Sequence, residues 1–225
     1  MFSSWKSVER LELPDINYEV KVITTLFLFS IAAGLLTANN PPDVIAQIID
    51  QLSAIFETID PNDSLEVFTF ILTNNLTAVL TVIVAGILFG ISPMMSSILN
   101  GYIIGVVSGL AILESQASLL FIGLIPHGII EVPALVIALA IGLHLGRDFW
   151  HTLNKVKLKS ALLTRSDKIT WWQKYLILLS DVINLTSRKL ISALKLVWYL
   201  LVPLIVMAAL IESTVTPYLL ELALK

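Results

Sequence analysis

The 28 residues from Leu119 to Gly146 decide the fold class, and they read LLFIGLIPHGIIEVPALVIALAIGLHLG. One carboxylate and two imidazoles interrupt an otherwise apolar run. A helix that crosses the hydrocarbon layer of a bilayer needs about 20 apolar residues, so this run is long enough to span it. Pro126 and Gly128 flank His127, and a helix is readily broken where proline supplies no amide hydrogen. The stretch therefore predicts a membrane span that is broken at Pro126-His127-Gly128.

The rest of the chain has the composition of a membrane protein. Hydrophobic residues make up 56% of the 225 residues and charged residues only 14%, whereas soluble domains have about 45–50% and about 25%. Soluble enzymes, disordered tails and nucleic-acid binders are thereby excluded. The absence of cysteine also excludes disulfides and thiolate sites. We predict an all-α integral membrane bundle of about five transmembrane spans, the other four being Val22 to Ala38 and approximately 75–95, 97–113 and 190–211.

The distribution of basic residues predicts the orientation. Residues 39–73 contain no Lys or Arg but six acids, whereas residues 147–195 hold ten of the fourteen bases. Cytoplasmic loops carry the excess of Lys and Arg, so the protein is predicted to lie in the cell membrane with its N-terminus in the cytoplasm and its C-terminus outside. The predicted regions are a cytoplasmic segment 1–21, a membrane domain 22–217 containing an outer acidic segment 39–73 and a cytoplasmic basic amphipathic segment 147–189, and an outer tail 218–225.

Two segments between the spans are predicted to lie at the membrane surface. Asp43 to Ile59 has apolar residues at the i, i+3, i+4 spacing of an amphipathic helix. Arg147 to Arg188 mixes basic residues with tryptophan and tyrosine, a pattern typical of contact with anionic lipids. Ordinary anchoring by positive charge is the favoured interpretation of this basic segment, and specific lipid recognition is the alternative.

Three pairs or triplets of glycine recur at four-residue spacing. Glycines at this spacing form a flat stripe on which a second membrane helix can pack closely. Packing between spans of the same chain is the favoured interpretation, and a homodimer or other homo-oligomer is the alternative. The stripes are Gly86 and Gly90, then Gly101, Gly105 and Gly109, then Gly142 and Gly146.

Several polar residues fall within or at the ends of the predicted spans. Ionisable groups in hydrocarbon are costly, and grouping them lets each satisfy the hydrogen bonds of another. We therefore expect His127, Glu131, Asn75 and Glu212 to converge on one ligand-binding or structural polar site in the outer half of the bundle. Asn100 is expected at the inner end, outside that site. The alternative is that each of these residues is capped by its own helix.

No metal or cofactor is predicted. His127 and Glu131 are four residues apart and are weak candidates as metal ligands, because two ligands are fewer than a zinc site requires. His144 and His151 are expected to be isolated near the inner interface, either solvated or packed.

Four blocks of polar, glycine and proline residues follow one another along the chain. They are Asn74-Asn75 with Gly86 to Gly90, Asn100 to Gly105, Pro126 to Ala134 with Gly142 to Gly146, and Pro203 to Glu212 with Val215 to Pro217. In this order the blocks resemble the stage II sporulation protein M family. The resemblance implies a multi-span membrane protein with little assigned chemistry. In spore-forming bacteria the family member looks like a scaffold that holds peptidoglycan-degrading partners at the engulfing membrane. The family's signature residues map onto His127, Glu131, Asn75, Asn100 and Glu212.

Three functional hypotheses follow. The leading one is a non-enzymatic membrane scaffold or assembly protein with membrane or cell-envelope protein partners. The second is a transporter or channel for a small ion or polar metabolite, with a polar site at His127 and Glu131. An intramembrane hydrolase is weaker, because no nucleophile–base pair is visible in the sequence. A water-filled cavity that reaches His127 would favour transport, and a dry, closed bundle would favour a scaffold.

Overall fold

The computed structural model describes residues 15–60, 63–164 and 170–223. No strand occurs within these ranges, and helices follow one another with short connections. In chain order they are α1 Asn17–Thr37, α2 Asp43–Phe56, α3 Ser64–Phe89, α4 Ser92–Leu113, α5 Ala117–Thr164, α6 Trp171–Leu196, a first π segment Val197–Leu201, α7 Val202–Leu210, a second π segment Ile211–Val215, and α8 Thr216–Ala223.

The predicted all-α membrane bundle of five spans is confirmed. Within the described residues, five helical stretches are long and apolar enough to cross a bilayer. The last stretch is longer than predicted, because α6 continues through both π segments into α8. The five stretches are Asn17–Thr37, Ser64–Ile87, Ser92–Leu113, Gly128–Val156 and Lys189–Ala223.

The predicted break of the fourth span at Pro126-His127-Gly128 is wrong. α5 is one helix of 48 residues, and Pro126 and Pro133 both lie inside it. Each proline removes one backbone hydrogen bond, which membrane helices tolerate when neighbouring helices hold the backbone in place. α5 contacts α1, α3, α4, α6, α7 and α8. This packing outweighs the local preference of the two prolines for a helix end.

The core of the bundle is built around the middle of α5. Ala138, Leu139 and Ala140 are completely buried, and Ile23 of α1 and Ile83 of α3 are also inaccessible. Apolar side chains gain little from leaving lipid, so close van der Waals contact holds these helices together. This part of the bundle is therefore tightly packed and dry.

The glycine stripes pack helices of the same chain, as favoured from the sequence. A Cβ atom on Gly105 of α4 would lie 2.2 Å from the carbonyl oxygen of Ile31 on α1. A Cβ atom on Gly146 of α5 would lie 2.3 Å from the carbonyl oxygen of Gly86 on α3. Real contacts are never this short, so larger residues would force the helices apart. Homo-oligomer formation stays a prediction, and it would need another surface.

The last span contains two π segments, and each is followed by a proline. The amide of Val202 donates to the carbonyl of Val197, and that of Thr216 donates to Ile211, both five residues back. Pro203 and Pro217 are the next residues, and a wider turn accommodates a proline ring that would clash in a regular α-helix. The second π segment contains Glu212.

The predicted amphipathic helix after the first span is confirmed as α2, Asp43–Phe56. Val44, Leu52 and Ile55 on its apolar face are exposed. Among the described residues, α2 makes no substantial contact with any other helix of the chain. Its apolar face is thus available to lipid or to another molecule.

Candidate functional site

Three of the predicted polar residues lie together between α3, α5 and the second π segment. The Asn75 side chain of α3 lies close enough to the carboxyl group of Glu131 on α5 for the two to interact. The carboxyl group of Glu212 is close enough to that of Glu131 for the two to interact electrostatically. All three side chains are half-buried. We call this group the carboxylate cluster; its assignment as a ligand-binding or structural site stays a prediction.

Helix packing explains how residues far apart in sequence form the carboxylate cluster. α3 packs along α5, and the second π segment contacts both of them. π segments occur often at functional sites, since the inserted residue redirects the side chains of the turn. Glu212 lies in such a segment, near enough to Glu131 for the two carboxyl groups to interact electrostatically.

The chemistry of the carboxylate cluster follows from its two acids. Two neighbouring carboxylates in a medium of low polarity are unstable when both are charged. A shared proton or a bound cation removes this repulsion, and the Asn75 amide can donate to Glu131. Within the described part of the chain, no three His, Cys, Asp or Glu residues form a group that could hold a metal ion. The cluster thus brings two acids and an amide together where the side chains are only partly exposed.

His127 and Asn100 are placed differently. The His127 backbone lies in α5 one turn before Glu131, and the position of its side chain lies outside the described part of the structure. Asn100 donates from its amide nitrogen to the carbonyl of Ser96, 2.8 Å away in the same helix. A hydrogen bond within its own helix thus accounts for Asn100.

A second polar group, which the sequence did not reveal, joins α1, α5 and α6. Arg147 of α5 donates from Nη1 to Oε1 of Glu19, at 2.8 Å. The His144 ring lies between two carboxylates, with Nδ1 3.2 Å from Glu19 and Nε2 3.3 Å from Asp148. Lys189 of α6 completes the group through an ion pair with Asp148. We call these five residues the ion-pair network.

The expectation that His144 is isolated is wrong, whereas His151 is exposed. The signal for the network was present on α5, because His144, Arg147 and Asp148 have the i, i+3, i+4 spacing of one helix face. Its partner Glu19 was assigned to a cytoplasmic segment, but α1 begins at Asn17 and buries Glu19 completely.

Glu19 is the most unusual residue of the network. Its side chain is 0% exposed, and its Oε2 atom has no hydrogen-bond partner among the described residues. A buried carboxylate is tolerated only when it is paired, and Arg147 and His144 supply that pairing at Oε1. The guanidinium of Arg147 also lies 5.7 Å from the centre of the Tyr18 ring. Arg147 therefore holds the beginning of α1 against α5 in two ways.

The two polar groups are separated by an apolar layer. Glu131 and His144 are 13 residues apart on α5, about 20 Å at about 1.5 Å per residue. Between them lie Ala134, Ala138 and Leu139, each at most 1% exposed. These side chains pack the part of α5 between the two polar groups.

Comparison with known proteins places the chain in a family. The sequence model of stage II sporulation protein M matches residues 23–217. The chain belongs to the stage II sporulation protein M family. An uncharacterized protein of Methanocaldococcus jannaschii is 32% identical over 203 residues, which are 88% of this chain and 95% of that protein. No solved structure matches the chain.

The region shared with the stage II sporulation protein M family includes most of both polar groups. The whole carboxylate cluster lies within residues 23–217, and so do the four members of the ion-pair network on α5 and α6. Glu19 lies four residues before the matched region. Family membership thus identifies a multi-pass membrane protein and assigns no chemistry to either group.

Proposed function

We propose that this member of the stage II sporulation protein M family is a non-enzymatic membrane scaffold or assembly protein. The observation that carries the proposal is the packed apolar layer around Ala138 and Leu139, which are completely buried. A bundle with a packed centre is suited to holding other molecules in fixed positions rather than to conducting solutes through itself.

The ion-pair network supports the same proposal. It ties α1, α5 and α6 together through Glu19, Asp148 and Lys189. Ion pairs that link three helices restrict their relative movement, most of all at the completely buried Glu19, because separating that pair leaves a buried charge without its partner. Fixed positions of these three helices are an advantage for a protein that holds its partners in place.

The surface for protein partners is proposed to be α2 and the groove beside it. α2 carries Asp43 and Asp50, and no basic residue occurs in residues 39–73. A groove of about 890 Å³ follows, lined by Asp63 just before α3 and by Glu66 and Thr73 on α3, among others. An acidic, amphipathic surface that the chain itself leaves uncovered favours a membrane or cell-envelope protein with a basic face. By the distribution of Lys and Arg, this surface lies outside the cell and the N-terminus in the cytoplasm.

The test reverses charge on α2 in native membranes. Asp50→Lys with Glu57→Lys should abolish a discrete crosslinked complex of the chain with another envelope protein, without lowering its abundance. Glu114→Lys is the matched control, because Glu114 is an exposed acid at the end of α4, and it should keep the complex. A chain that migrates alone before and after the charge reversal would contradict the scaffold proposal.

A second candidate function is transport of a proton or a small cation, and the carboxylate cluster favours it. Two acids and an amide from three helical segments resemble the polar sites of transporters, which are built from irregular helices within the membrane. This function requires the apolar layer on α5 to open. Flux through proteoliposomes distinguishes it from a scaffold.

A further inference from the structure

A groove of about 430 Å³ opens beside the ion-pair network, and two residues of that network, Glu19 and Arg147, are among those that line it. It lies between the beginning of α1, the turn from α3 to α4, and α5. Its walls are mainly apolar and aromatic. They include Tyr18, Val22, Ile91, Met94, Leu143 and Trp150.

The charge that this groove presents is positive. Arg147 also lines the groove, and its side chain is 40% exposed, whereas that of its partner Glu19 is 0% exposed. The guanidinium therefore faces outward and covers the carboxylate. A ligand that enters the groove therefore meets the guanidinium of Arg147.

The side chains around the opening of the groove are of the types found at the depth of the lipid headgroups. Tyr18 is the second residue of the first span, and Trp150 lies near the end of the span Gly128–Val156. Tyrosine and tryptophan are enriched at this level of a membrane, and Arg extends to it. Val22 and Leu143 lie one to two turns further into the bilayer than these groups. The groove is thus charged at the headgroups and apolar toward the hydrocarbon.

We propose that this groove binds one anionic phospholipid, with its phosphate on Arg147 and an acyl chain along Val22, Met94 and Leu143. Guanidinium matches the geometry of a phosphate, and the groove lies within the range of about 300–1,000 Å³ typical of ligand sites. Its polarity matches that of a phospholipid from one end to the other. The site lies away from α2 and is independent of the proposed protein partner.

Quenching of Trp150 by brominated lipid tests this site. The other four tryptophans are replaced by phenylalanine, and the protein is reconstituted in phosphatidylcholine with a minor fraction of phosphatidylglycerol. Brominating the phosphatidylglycerol chains should quench Trp150 about fivefold more, per lipid molecule, than brominating the phosphatidylcholine chains. The reason is that one basic residue near a membrane surface favours binding of an anionic lipid by about 1 kcal/mol, which is about fivefold in affinity. Soluble glycerol phosphate should not relieve the quenching.

A second tryptophan and two variants complete the experiment. Trp198, in the first π segment, is 68% exposed and lies outside the groove. In a protein whose only tryptophan is Trp198, quenching by each brominated lipid should be proportional to the mole fraction of that lipid. Val22→Phe should fill the groove and abolish the preference of Trp150 while keeping the ion pairs. The double variant Glu19→Gln with Arg147→Gln should also abolish the preference of Trp150 for phosphatidylglycerol, and it leaves no buried charge at residue 19. Equal quenching of Trp150 by both lipids, or displacement by glycerol phosphate, would overturn the proposal.

Discussion

Arg147 on α5 places its Nη1 atom 2.8 Å from the completely buried carboxylate of Glu19 on α1. The contact joins residues that are 128 positions apart and fixes the start of the first span against the end of the fourth. The same guanidinium lies over the Tyr18 ring. Arg147 thus links the interior of the bundle to its surface.

The first prediction concerns this ion pair. Arg147→Ala should lower the free energy of unfolding by about 3 kcal/mol, because it leaves the buried Glu19 charge without its main partner. Glu19→Gln with Arg147→Ala should restore part of the loss, since no buried charge then remains. Thermal unfolding in detergent measures both. Equal destabilisation by the single and double variants would show that the pair is not the cause.

The second prediction concerns the packing of α4 against α1. Gly105→Ala should destabilise the protein strongly, because its Cβ atom would lie 2.2 Å from the carbonyl oxygen of Ile31. Gly123→Ala is the matched control, since nothing lies within 4 Å of its Cβ position. Alanine in a helix is about 0.5–1 kcal/mol more favourable than glycine, so the control should be neutral or stabilising. Similar melting temperatures for both variants would contradict the packing described for α1 and α4.

The third prediction concerns orientation. The chain contains no cysteine, so single cysteines can be introduced without a background. A cysteine at Ser53 on α2 should react with an impermeant maleimide in intact cells, and a cysteine at Ser160 only after permeabilisation. The opposite pattern of labelling would refute the proposed orientation.

The fourth prediction concerns the continuity of α5. Pro126→Ala should leave stability unchanged or raise it, because the new amide can complete the helical hydrogen bond to Ile122. If residues 119–125 and 129–146 were separate helices, the same change would remove a needed break and lower stability. The melting temperature of Pro126→Ala is compared with that of Pro203→Ala, a variant at a proline that follows a π segment.

Hydropathy predicted most of the fold because bilayer thickness imposes span length directly. The five spans, the α2 helix and the use of glycines such as Gly105 between helices all follow from local pattern. The break at Pro126 was predicted from a local preference that packing of α5 against six other helices outweighs. Long-range packing of this kind cannot be derived from the residues around one proline.

The polar groups show the same division between local and long-range information. Asn75, Glu131 and Glu212 were conspicuous because polar residues in apolar spans are costly and benefit from partners. Glu19 was not conspicuous, since it lies just before an apolar run among charged residues. Only the contact of α1 with α5 makes it a buried acid.

The measurement that tests the scaffold proposal most directly is ion flux through proteoliposomes containing the purified protein. With a proton gradient or a monovalent cation gradient, the scaffold proposal predicts flux equal to that of protein-free liposomes, and no change in Glu131→Gln or Glu212→Gln. Flux above that of protein-free liposomes that falls in both carboxylate variants, but not in Asn100→Ala, would contradict it and assign transport to the carboxylate cluster.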